Sequence, residues 1–130
     1  MNVAANKLME QIRYSLMKDY RKKLEKESLG VIKFFIRDST LAKTGVEDLI
    51  DCNDAVQMIP ASEKLGLRTK EDFELFFGLL AKGLQKARDL NYGYLRVTYD
   101  VNHGSSDPKK KINMRMTLET ETHYDRKYFY

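Results

Sequence analysis

The chain has 130 residues, 42% hydrophobic and 32% charged, with a formal net charge of +4. This composition suits one domain with its own core and excludes a disordered tract. A single cysteine rules out an internal disulfide, two histidines beside it leave too few of the usual ligands for structural zinc, and no segment approaches the ~18 apolar residues of a membrane span.

The N-terminal stretch carries charges inside its apolar pattern, unlike a signal peptide. With the lone Cys52, this leads to an expected reducing, cytoplasmic setting without a membrane. Lysine and arginine (23) are largely interspersed with aspartate and glutamate (19). Such mixing makes a solvated surface and argues against a dedicated nucleic-acid binder.

Residues 1–90 read as helices. The first is predicted from Ala4, with Leu8, Ile12 and Leu16 recurring on one face and Met9 and Met17 beside them. A basic connector, Lys18 to Lys26, follows. A second helix is predicted after Ser28, carrying Leu29, Val31, Ile32, Phe34, Phe35 and Ile36. That is too many apolar residues for one stripe, so its extra face is either central or offered to a partner. A short third helix is predicted around Val46, Leu49 and Ile50. A fourth would begin at Asn53 or Asp54 and be interrupted by Pro60. The fifth is signalled by Thr69 three residues before Asp72, a capping-box pattern, and by Phe73, Phe76, Phe77, Leu80 and Leu84 at helical spacing.

After Gly93 the period becomes two. Leu95, Val97, Tyr99 and Val101 alternate with Tyr94, Arg96, Thr98 and Asp100; Ile112, Met114, Met116 and Leu118 alternate with Asn113, Arg115, Thr117 and Glu119. These predict an antiparallel hairpin joined by the loop Asn102 to Lys111. Its apolar face would lie on the helices, and a free edge could pair with another chain. The aromatic and charged residues from His123 onward are either a third strand or a docked tail.

No catalytic arrangement stands out. The seven glycines form no phosphate loop, no metal-ligand spacing occurs, and His103 in the loop and His123 in the tail read as bystanders rather than acid–base groups. Cys52 lies among acidic residues, an unfavourable setting for a nucleophilic role. A non-enzymatic binding module without cofactor or metal is the expectation.

Val31-Ile32-Lys33-Phe34-Phe35-Ile36-Arg37-Asp38 resembles the second helix of death-effector domains. Leu8 to Met17, Asp54 to Leu67, Thr69 to Leu84 and Arg88-Asp89-Leu90 are similar to that family's other helical motifs, in order, over roughly residues 6–95. The sequence departs from the family in a longer, basic first connection, in Pro60, in an arginine displaced by one position at Arg88, and in the strand-like C-terminal segment. The resemblance implies a mostly α, death-fold-like antiparallel bundle of five to six helices over residues 1–92, followed by a strand-rich extension, a C-terminal β-hairpin, over 93–130.

It also implies homotypic assembly in apoptotic or innate immune signalling, as adaptor or inhibitor. The partners would be other death-fold proteins, such as adaptors or initiator caspases, or a second copy. Phe34 and Phe35 match the family's docking pair, and Lys33, Arg37, Asp38, Arg88 and Asp89 would form a charged rim setting partner choice. The helical spacing independently turns Phe34 outward with Val31, unless the connector or the hairpin covers it. The alternative is a small basic nucleic-acid-binding domain using Lys18 to Lys26 and Lys109 to Lys111.

Overall fold

A computed structural model describes residues 3–48, 52, 65–87 and 91–120. The elements run α1 (Val3–Asp19), α2 (Arg21–Lys26), β1 (Leu29–Arg37), β2 (Thr40–Glu47), α3 (Lys70–Lys86), β3 (Tyr92–Val101), a 3-10 turn (Pro108–Lys110) and β4 (Ile112–Thr120). The four strands form one antiparallel sheet in the order β2-β1-β3-β4. The expected mostly α bundle of five to six helices is therefore replaced by an α+β fold. Among the described residues no helix is long and apolar enough to cross a membrane.

The decisive correction is at residues 29–37, expected as a helix and found as the central strand β1. Val31, Ile32 and Ile36 are β-branched, and Phe34 and Phe35 are aromatic, the residue types that fit a pleated surface. Their alternation is also real. Ile32, Phe34 and Ile36 are buried, while Lys33 and Arg37 are exposed and Phe35 is half-buried. An apolar face and a mixed face at period two look like excess hydrophobicity when read at period 3.6.

Asp38 and Ser39 close the hairpin to β2 with φ of 52° and 60°. Two consecutive left-handed residues in a two-residue loop match the right-handed twist of the flanking strands. Asn91 supports this turn. Its carbonyl accepts from the Ser39 N–H, and its side-chain oxygen accepts from the Ser39 hydroxyl, both at 2.9 Å. Along β2 the register slips between Phe35 and Ile36, leaving Ala42 as an extra residue in a bulge. Val46, expected in a third helix, lies on β2 opposite Ile32. The fourth predicted helix falls largely outside the described residues; Leu65 to Arg68 are neither helix nor strand.

Helices α1 and α3 were read correctly and lie side by side on one face of the sheet, α1 toward β2 and α3 toward β4. Their rows Leu8, Ile12, Leu16 and Phe76, Phe77, Leu80, Leu84 meet Ile32, Phe34, Ile36, Leu95, Val97, Tyr99 and Val101 from the strands. Thr69 and Asp72 make the full capping box at the start of α3. The hairpin β3–β4 has the predicted alternation of faces, but it joins β1 along nine residues and so forms half of a four-stranded sheet rather than a two-stranded hairpin. The sheet therefore unites segments from both sides of residue 92.

Candidate functional site

Among the described residues, no helix or strand covers the second face of the sheet. Register places its residues in rows across the strands. Lys43, Phe35, Tyr94 and Glu119 form one row; Gly45, Lys33, Arg96 and Thr117 the next; Glu47, Val31, Thr98 and Arg115 the third. Arg37 and Tyr92 pair at the end of β1.

The first row carries an aromatic platform. Phe35 and Tyr94 face each other on the two central strands, with ring centroids 4.9 Å apart and planes tilted by 41°. Tyr92 meets Phe35 edge-on at 6.1 Å. The Lys43 ammonium lies 5.6 Å from the centre of the Phe35 ring, within cation–π range. Tyr94 is 36% exposed, so this ring is presented to solvent. A hollow of about 250 Å³ beside it is lined by Lys33, Tyr94, Arg96, Thr117 and Glu119.

One carboxylate organises the second row. Glu47 lies 3.0 Å from both the Lys33 ammonium and an Arg96 guanidinium nitrogen. Hydrogen bonds from Arg96 and then Lys33 hold the Glu47 carboxyl below its ordinary pKa, and Glu47 raises that of Arg96. The network fixes both long side chains beside the platform. Arg37, Lys43 and Arg115 have no ion pair among the described residues. The face thus carries five cations, Lys33, Arg37, Lys43, Arg96 and Arg115, against Glu47, Asp100 and Glu119.

The residues assigned to partner binding separate. Lys33, Phe35 and Arg37 come together on this face, and Asp38 lies in the turn at its end. Phe34 points the other way and is 0% exposed, under the helices. Arg88 and Asp89 lie outside the described residues. The helical bundle and exposed Phe34 on which homotypic docking depended are therefore absent.

Sequence reasoning missed Lys43, Tyr92, Tyr94 and Arg96. For Tyr92, Tyr94 and Arg96 the signal is the polar half of the β3 alternation, with an aromatic-basic character that the apolar half overshadows; Lys43, on β2, is placed only by its pairing with Phe35.

Three residues of the basic runs Lys18 to Lys26 and Lys109 to Lys111 form ion pairs within the fold. Arg21 pairs with Glu25, and Lys23 with Glu27 and Asp48. Burial would lower the Lys23 pKa, but the hydrogen bonds to Asp48 and Glu27 outweigh it and raise it. Lys111 reaches Asp72. His103 is a strut: its Nε2 donates to the Gly66 carbonyl at 2.6 Å. Gly66 itself runs so close to the α2 backbone that a Cβ there would strike the Leu24 and Glu27 carbonyl oxygens. Among the described residues no three His, Cys, Asp or Glu side chains group as metal ligands would.

Compared with protein-family models, curated proteins and solved structures, the chain gives no match.

Proposed function

We propose that this protein binds single-stranded nucleic acid on the open face of its sheet. The carrying observation is the Phe35–Tyr94 pair, set on adjacent central strands on a face without a covering element among the described residues. Unpaired bases stack on exposed aromatic rings, and every base has a π-face to offer. Lys43 and Arg37 beside the platform suit the backbone phosphates that flank stacked bases. Lys33 and Arg96, held by Glu47, line the hollow where a base edge would lie. Duplexes suit this surface poorly, because stacking needs bases that are already unpaired.

The test is fluorescence anisotropy with labelled single-stranded RNA, single-stranded DNA and a matched duplex, over a salt series. Binding to single strands in preference to the duplex is expected. Tyr94→Ala should weaken it about tenfold or more, as loss of one stacking platform does. Lys43→Glu should weaken it and flatten the salt dependence. Absence of single-strand binding at low salt, or binding indifferent to Tyr94→Ala, overturns the proposal.

A further inference from the structure

The two edges of the sheet are treated differently. At the β2 edge, α1 and Tyr20, just after it, supply partners for the outer backbone groups. The Leu41 N–H donates to Gln11 Oε1 at 2.9 Å, and the Tyr20 hydroxyl donates to the Thr44 carbonyl at 3.0 Å. The Ser15 hydroxyl donates to that of Thr44 at 2.8 Å, and the Ala42 bulge breaks the strand's regularity. Bulges and covering elements are common means of blocking an edge.

The β4 edge has none of these among the described residues. Ile112–Thr120 pairs with β3 through nine consecutive positions without a register shift, and it contains neither proline nor lysine. Its helix-facing row is only partly sheltered. Met114, Met116 and Leu118 are half-buried, and with Leu79 and Leu95 they line a groove of about 520 Å³ between α3 and β4, which Lys82 and Lys86 of α3 also line. On the opposite side of the strand, Arg115 and Glu119 are exposed, and neither has an ion pair among the described residues.

Those two residues select an occupant. In an antiparallel pairing of β4 with a second β4, a two-fold axis through Thr117 sets Arg115 opposite Glu119 of the other copy, and does so twice. The same register sets Met116 opposite Leu118 on the groove side and Thr117 opposite its own counterpart. Opposite charges and threonine pairs directly across strands are favourable, and a two-fold interface uses one patch on both copies.

We infer that the protein forms a symmetric dimer joined edge to edge through β4, with the two sheets continuous and the Met116 and Leu118 rows of the two copies meeting beside the axis. The partner is a second copy of this chain. The dimer doubles the exposed sheet face, but it does not depend on what that face binds.

Light scattering coupled to size exclusion should give twice the 15.2 kDa chain mass. Arg115→Glu and Glu119→Arg should each give monomers, since each sets like charges opposite one another twice. An equimolar mixture of the two variants should dimerise again, because every cross-strand pair then joins a carboxylate to a guanidinium. A wild-type monomer across the concentration range overturns the proposal. So does a dimer that both single variants leave intact, or a mixture that stays monomeric while both variants keep the wild-type circular dichroism. The register is read separately in a Cys52→Ser background. Thr117→Cys should crosslink on oxidation, because Cα atoms facing across antiparallel strands lie within disulfide reach. Asn113→Cys should not, and the reverse pattern overturns the register.

Discussion

Lys111, immediately before β4, donates to the Asp72 carboxylate in the first turn of α3 at 2.7 Å. The other carboxylate oxygen of Asp72 accepts from the N–H groups of Arg68 and Thr69, at 2.8 and 3.1 Å. One buried carboxylate therefore joins the helix cap to the entry of the last strand.

Burial would raise the Asp72 pKa. The Lys111 ammonium and the two backbone N–H groups outweigh it and hold the carboxyl at about 2, against an ordinary 3.8. A depressed carboxyl stabilises the fold above its unfolded pKa, and that contribution disappears as pH falls through the folded one. Urea unfolding should show about 2 kcal/mol of stability lost between about pH 4 and pH 2. Lys111→Met should lower stability at neutral pH and shrink that acid loss. An acid profile unchanged in Lys111→Met contradicts this account.

Tyr99 lies over Gly30, its opposite number on β1. A Cβ at residue 30 would come within 2.5 Å of the Tyr99 hydroxyl oxygen, and the ring has little freedom to withdraw because Phe76 packs edge-on against it at 5.2 Å. Gly30→Ala should cost about 1–3 kcal/mol, as overpacking does. Burial, and then the nearby Glu27, push the Tyr99 pKa up to about 12. The neutral phenol is favoured in the fold, so its contribution is complete below about pH 10 and is lost as pH rises toward about 12. Spectrophotometric titration should find a late-ionising tyrosine in the native protein that Tyr99→Phe removes. If Tyr99→Phe removes no late step, the assignment fails.

Phe34 and Phe35 are neighbours in sequence with opposite fates. Phe34→Ala should cost about 3–5 kcal/mol because it empties a space fully enclosed by the helices. Phe34→Asp adds an unpaired buried charge and should prevent folding. Phe35→Ala should cost clearly less, since its ring is half-buried on the open face. Equal losses for the two alanine variants, measured by chemical denaturation, would contradict the facing assigned to them.

The well-read elements are those with one dominant period. Leu8, Ile12 and Leu16, and then Phe73 to Leu84, repeat as a helix must, and Thr69 with Asp72 marks where α3 starts. Leu95 to Val101 and Ile112 to Leu118 alternate strictly. Residues 29–37 misled because Phe35 and Val31 put apolar side chains on both faces of β1, masking the alternation that Lys33 and Arg37 preserve. The turn was also inconspicuous: Asp38-Ser39 lacks the Asn-Gly or Asp-Gly pair that usually announces a two-residue hairpin. The site suffered accordingly. Lys33, Phe35 and Arg37 are picked out only by resemblance to a helical family, and only the strand pairing reveals that Tyr94 and Lys43 stand beside Phe35.

The nine-residue pairing of β1 with β3 has a kinetic meaning as well as a structural one. Each hairpin closes over a local connection, Asp38-Ser39 in one case and the 102–111 loop in the other. The central seam instead joins Arg37 to Tyr92 and Leu29 to Asp100, contacts distant along the chain. Such contacts forfeit the most chain entropy before any burial compensates, and they slow folding accordingly. The topology therefore predicts that formation of the β1–β3 seam, rather than of either hairpin, limits the folding rate. Until it occurs, Phe34 and Leu95 have no partner across the seam, and both hairpins expose the strands that later become the middle of the sheet.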